Sequence, residues 1–160
     1  MTTRAASALR LAGLAAATLL ASGCAVFSPV QTMDAYVPAD GVDLTIPGLD
    51  LRNVAIVADA KGSPGTVIGQ AVNNGADAVE VTFGVEGGQG SAKTSVPAFS
   101  GGSLTTGTKV ELSDVPVAPG SMVRLVVSTP QAGQNVVLVP VLAPERYYEG
   151  LAPSPSPSAS

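Results

Sequence analysis

The chain has no histidine and no tryptophan, and Cys24 is its one cysteine. Charged residues make up 12% of it and aromatics 4%. Each scarcity removes a class of chemistry. Without histidine there is no Ser-His-Asp triad, and the commonest general base and transition-metal ligand are both missing. With one cysteine no disulfide can form within the chain. Lys61, Lys93, Lys109, Arg52, Arg124 and Arg146 are scattered, so no clustered basic face for nucleic acid is available. A glycosidase built on paired carboxylates usually adds aromatic platforms, and tryptophan is absent. No acid precedes Asp34.

What is present begins at the N-terminus. Arg4 and Arg10 give a positive start, and Leu11 to Ala21 holds only Leu, Ala, Gly and Thr. A membrane-spanning helix needs about 20 apolar residues, and this run is too short. It ends in the small residues Ala21, Ser22 and Gly23 before Cys24, which is the layout of a secretory signal. Leu20-Ala21-Ser22-Gly23-Cys24 resembles the lipobox of bacterial lipoproteins, with Ala21 where the pattern prefers leucine. The resemblance implies cleavage between Gly23 and Cys24. A diacylglyceryl group on the Cys24 sulfur and a further acyl chain such as palmitate then anchor the protein. Two acyl chains suffice for stable anchoring where one does not. The expected location is the cell membrane, on its extracytoplasmic side, with membrane lipid held through acylated Cys24 as the first partner. Cleavage leaves 160 − 23 = 137 residues and, with Arg4 and Arg10 gone, moves the net charge from −4 to −6.

The expected organisation is a signal peptide over 1–23, a linker over 24–40, a β-sandwich over 41–150 and a disordered Pro/Ser tail over 151–160. The linker carries Pro29 and Pro38 and holds the domain off the bilayer. The tail, Pro153-Ser154-Pro155-Ser156-Pro157-Ser158-Ala159-Ser160 at its end, cannot bury apolar surface.

Between them, strand and turn signals recur at short spacing. Val42, Leu44 and Ile46 alternate with polar residues. Val54 to Ala58 is a continuous apolar run, as in a strand buried on both faces. Val67 to Val72 is a strand, and Asn74-Gly75 reads as a hairpin turn to the next one. That next strand has Val79, Val81, Phe83 and Val85 on one face and Glu80, Thr82 and Glu86 on the other. Gly84 to Gly90 is a hairpin loop, since no Lys-Ser/Thr follows it as a phosphate loop requires. Thr94 to Phe99 is an edge strand because of Pro97, and Gly101-Gly102 is a turn. Thr108 to Leu112, Met122 to Ser128 and Val136 to Leu142 complete the set, with Pro140 marking an edge or a bulge. Glu145 to Glu149 places a tyrosine on the sandwich. The fold class is all-β, an Ig-like or cupredoxin-like antiparallel sandwich.

Candidate chemistry is sparse. Ser91 with Lys93 and Ser63 with Lys61 lack the Ser-x-x-Lys spacing of a Ser-Lys dyad. Asp40, Asp43 and Asp50 crowd one region but do not follow the EF-hand ligand order, and Glu80 and Glu86 read as a solvated face. No catalytic residue and no cofactor is expected.

Asp40-Gly41-Val42, Leu51-Arg52-Asn53-Val54 and Asn73-Asn74-Gly75, together with Cys24, resemble a family of small actinobacterial lipoproteins, which implies a surface β-sandwich and no activity. The architecture, with Ala118-Pro119-Gly120 before the Met122 strand, is also similar to cupredoxin-like periplasmic copper chaperones. That resemblance implies Cu(I) bound through methionine and histidine. Here only Met33 and Met122 remain as soft ligands in the mature chain. The leading expectation is a non-enzymatic lipoprotein that binds other envelope proteins or serves the envelope structurally. The alternative is a copper chaperone using Met33 and Met122.

Overall fold

The computed structural model describes residues 39–106 and 109–153. Gly23, Cys24, Met33, most of the 24–40 linker and the tail from 154 lie outside them. Among the described residues no helix is long and apolar enough to cross a membrane. The described residues form nine strands: β1 Val42–Ile46, β2 Leu49–Ala58, β3 Gly65–Asn73, β4 Val79–Val85, β5 Ser91–Val96, β6 Ser100–Ser103, β7 Val110–Leu112, β8 Met122–Thr129 and β9 Gly133–Leu142. The strand order is β5-β4-β8-β9-β2-β3-β6, with β1 also on β2 and β7 also on β3. Sheet B comprises β5, β4, β8 and most of β9. Sheet A comprises β1, β2, β3, β6 and β7.

The strand β9 joins them. Gly133 to Pro140 pair antiparallel with β8, and Val141 and Leu142 then pair with Ile56 and Val57 of β2. That short ladder is parallel, the one exception to antiparallel pairing, and it curls the two sheets into a nearly closed barrel. The inner faces supply the core expected from the alternation: Val81, Phe83 and Val85 of β4 meet Val123, Leu125 and Val127 of β8 and Val54 and Ile56 of β2. All of Val54 to Ala58 is buried, as the unbroken apolar run implies.

Pro140 shows how the chain changes sheet. Val141 uses its N–H on Ser121 O at 2.9 Å and its C=O on Gly120 N at 2.8 Å, both on the β8 side. Backbone groups alternate sides along an antiparallel strand. The nitrogen of Pro140 therefore faces away from β8, where no ladder bond is lost. The edge expected from Pro140 is corrected: β9 is interior, between β8 and β2, and the proline is tolerated because the parallel ladder to β2 begins only at Val141. Pro97 follows β5, which is terminal in the order, so the edge expected there is present.

Two turn expectations are corrected. Asn74-Gly75 does not close a hairpin: β3 pairs with β2, β6 and β7, while β4 pairs with β5 and β8. The segment crosses from sheet A to sheet B, and buried Asn73 ties the crossing. Its Nδ2 lies 2.8 Å from Asp77 O, 3.1 Å from Val96 O and 3.0 Å from Pro97 O, and its Oδ1 accepts from Gly75 N at 2.8 Å. Gly101-Gly102 is not a turn but the middle of β6, paired with Val72 and Ala71. A strand made of Ser and Gly has no apolar alternation to announce it.

A bulge in β2 shapes the region where the chain enters the barrel. Register shifts between Arg52 and Ala55 against β3 and between Val42 and Leu44 against β1. Asn53 lies in it at φ 52°, a left-handed conformation that asparagine tolerates better than most residues. The facing residue, Gly69, has φ 136°, and a Cβ there would come within 2.9 Å of Arg52 O and 3.0 Å of Asn53 O. Only glycine fits.

Candidate binding groove

Sheet A has an apolar outer face: Ala55, Val57 and Ile68. The chain that follows β9 folds back over it. Leu142, Tyr148, Leu151 and Ala152 pack on these three residues. Leu151 and Ala152 thus pack on the folded body. A 3₁₀ turn at Arg146–Tyr148 presents the two tyrosines. Arg146 has φ 54°, a conformation costing an arginine about 1–2 kcal/mol and retained because the flanking contacts hold it.

The covering segment is latched to the start of the barrel. Tyr148 Oη donates to the Asp40 carboxylate at 2.5 Å. This hydrogen bond, followed by burial and the Asp40 charge, pushes the phenol up to about 12. Beside it, Gly41 N donates to Asn53 Oδ1 at 2.7 Å and Asn53 N to Asp43 Oδ1 at 2.8 Å. The Asp40-Gly41-Val42 and Arg52-Asn53 motifs meet here, as parts of one latch. Tyr147 is 87% exposed, and its ring stands edge-to-face on Tyr148, centroids 5.3 Å apart and planes at 89°.

Between the tyrosines and the outer surface of β3 lies a groove of about 440 Å³. Ile68, Gly69 and Gln70 belong to β3, Tyr147, Tyr148 and Leu151 form one side, and Ser103, Thr105 and Asn53 also line it. No lining residue is charged. Ser103 Oγ and Thr105 Oγ1 are 2.8 Å apart, whereas the side-chain amide groups of Gln70 and Asn53 Nδ2 have no protein partner among the described residues.

The residues singled out in the sequence are dispersed by the fold. Asp40, Asp43 and Asp50 do not share a site: each serves its own partner, Tyr148, Asn53 and Asn74 Nδ2 at 3.2 Å. Lys93 pairs with Glu80 at 3.1 Å across β4 and β5, not with Ser91. Ser63 lies in a turn, its N–H on Ala60 O. Glu86 faces Arg124 at 3.8 Å. Gly84 opposite Ser91 closes the β4–β5 hairpin, as expected of the glycine loop. Met122 is 46% exposed on the outer face of sheet B, opposite Pro140. Among the described residues no group of three His, Cys, Asp or Glu is placed to hold a metal. The groove itself was not anticipated. Its one trace in the sequence is Tyr147-Tyr148, the only adjacent aromatic pair.

No family model matches the chain, and no curated protein is similar to it. Solved structures do match. The apo PCuAC domain from PmoF1 superposes with a TM-score of 0.55 at 18% identity, over 64% of this chain and 100% of that domain. The copper-bound PCuAC domain from PmoF2 does so with a TM-score of 0.50 at 16% identity, over 64% of this chain and 99% of that domain. The barrel therefore has the fold of a PCuAC domain, which bears out the architectural resemblance to cupredoxin-like copper chaperones. At these identities the likeness is one of fold.

Proposed function

We propose that the chain is a non-enzymatic, lipid-anchored binding module on the extracytoplasmic side of the cell membrane. Acylated Cys24 is its anchor, and the groove beside Tyr147 is its binding surface. The anchor rests on the signal pattern ending at Gly23 and Cys24. The observation that carries the binding role is the groove: concave, uncharged, half apolar, and walled by a tyrosine pair held in place by the Tyr148–Asp40 hydrogen bond. Ligand sites have this mixture of apolar wall and a few polar groups. Envelope proteins and other envelope components are its partners, and nucleic acid is not.

Two measurements test it. Intact mass after detergent extraction gives a chain starting at Cys24 with a diacylglyceryl adduct, and Cys24→Ala releases the protein from the membrane. A Cys24→Ala protein that stays membrane-bound overturns the anchor. Capture from envelope extracts retains a component that Tyr147→Ala loses. Capture that ignores Tyr147 overturns the groove.

A second reading, copper delivery, is favoured by the PCuAC-type fold and by the exposed thioether of Met122. Cu(I) requires several soft donors. Met122 is the only sulfur among the described residues, and Arg124, a cation, shares its face of β8. This donor set does not fit a copper site, so the reading depends on Met33. Submicromolar Cu(I) binding abolished by Met122→Leu is the result that would raise copper delivery above the groove.

A further inference from the structure

We propose that the groove beside Tyr147 binds a neutral oligosaccharide. The ring of Tyr147 is a platform for one sugar ring, and Asn53, Gln70, Ser103 and Thr105 hydrogen-bond its hydroxyls. The proposal rests on the binding-module reading and names the ligand class of that same groove.

The lining excludes other classes. An anion, such as a phosphate or a peptide carboxylate, seeks basic groups, and a metal ion or an organic cation seeks carboxylates. The groove has neither. Of the acids bonded to lining residues, Asp40 already accepts from Tyr148 and Asp43 from Asn53 N. A purely apolar ligand would leave Asn53 Nδ2 and the Gln70 amide without partners, while Ser103 and Thr105 keep their mutual hydrogen bond, and an unpaired amide is costly once water is displaced.

What remains is a ligand with apolar faces and many groups that both donate and accept. Side-chain amides and hydroxyls do both, and so do sugar hydroxyls. A proline-rich segment is a poorer match. Its backbone offers mainly acceptors, because proline lacks an N–H. It also docks on grooves lined by aromatic faces, whereas Tyr147 and Tyr148 stand perpendicular, at 89°.

The site is preorganised. Tyr148 is packed on Ala55, Val57 and Ile68 and hydrogen-bonded to Asp40. Tyr147 is braced against it, edge to face. Asn53 is fixed through its Oδ1 and its backbone N–H, which leaves its Nδ2 for a ligand. The volume of about 440 Å³ lies within the range of ligand pockets, about 300–1,000 Å³. Ordered platforms reduce the entropy lost on binding.

Because the chain lacks tryptophan, its fluorescence comes from three tyrosines, two of which, Tyr147 and Tyr148, line the groove. The full chain is titrated with cellotriose, maltotriose, mannotriose and triacetylchitotriose. At least one is expected to bind with a Kd on the order of 1 mM or tighter. Tyr147→Ala, at a side chain exposed enough to leave folding intact, weakens that binding by about tenfold or more. Tyr147→Phe, which keeps the ring, restores it, and Gln70→Ala weakens it about threefold. The Tyr147 variants are read by NMR shifts and by the two tyrosines that remain, Tyr36 and Tyr148. The proposal is overturned if none of the four binds below ~10 mM, or if Tyr147→Ala binds like the parent. It is also overturned if the peptide Pro-Ser-Pro-Ser-Pro-Ser-Ala-Ser occupies the groove instead. Tyr147-dependent capture of an envelope component without sugar binding overturns the glycan and leaves the binding module standing.

Discussion

Sheet A and sheet B each turn one face to the core and one outward. On sheet A the outward residues Ala55, Val57 and Ile68 are buried under Leu142, Tyr148, Leu151 and Ala152. On sheet B the outward residues of β8 and β9 mix Arg124, Ser128 and Gln134 with apolar side chains, and of these Met122, Val136 and Leu138 stay 46%, 51% and 52% exposed. The two faces meet on β9, whose even-numbered residues run from exposed Val136 and Leu138 through Pro140 to Leu142, which is part of the cover. Outward apolar residues therefore do not reveal whether a sheet face is closed. A covering segment closes it, and on sheet A the edge of that segment makes the groove.

The comparison breaks most sharply under one substitution made on both faces. Val57→Asp places an unpaired carboxylate beneath the cover and should cost more than about 4 kcal/mol, enough to abolish the folded signal in circular dichroism. If Val57→Asp folds normally, sheet A's face is not closed. Next in size is Asn73→Ala, which leaves Val96 O, Pro97 O and Gly75 N short of a partner where the chain passes between the sheets. A loss of about 2–3 kcal/mol in urea unfolding is expected.

The latch comes third. Tyr148→Phe keeps the packing but loses the bond to exposed Asp40, for about 0.5–1 kcal/mol. Its pH dependence has a definite sign. The folded state holds the proton of Tyr148 up to about 12, against 10.0 for the ordinary phenol. Between those values the folded chain binds more protons than the unfolded one, so stability falls as pH rises through that window. Below it the contribution is fully present. Ultraviolet titration should show one late tyrosine that Tyr148→Phe removes; a late step persisting in that variant would contradict the latch. The smallest effect is expected for Leu138→Asp on sheet B, within about 0.5 kcal/mol by the same unfolding measurement. A large loss there would show that this face is covered after all.

Much of the barrel was legible from local pattern. Val79 to Val85 alternates with period two, and a one-residue slip would bury Glu80, so its face and extent could be read directly. The unbroken run Val54 to Ala58 announced a strand buried on both sides. Asn74-Gly75 misled, because its turn chemistry is shared by hairpins and by crossings between sheets, and the buried partners of Asn73 decide which. Ser100 to Ser103 was silent: β6 is held by backbone hydrogen bonds to β3, which carry no residue identity. The acids near Asp40 looked like a cluster only along the chain. In space each has a separate partner, because the β2 bulge draws Asp43 to Asn53 while Asp40 reaches Tyr148.

The chain's own residues thus determined where the apolar strands run, though not β6, and which side of each faces inward, since both follow from a two-residue period and from burial of apolar area. They also determined what chemistry is impossible, through the missing histidine and the single cysteine. Which strand pairs with which, the change of sheet at Pro140 and the covering of one outer face but not the other depended on contacts between residues far apart in sequence. Only the tertiary structure could bring Tyr148, about a hundred residues away, onto Asp40, and so turn an adjacent pair of tyrosines into the wall of a groove.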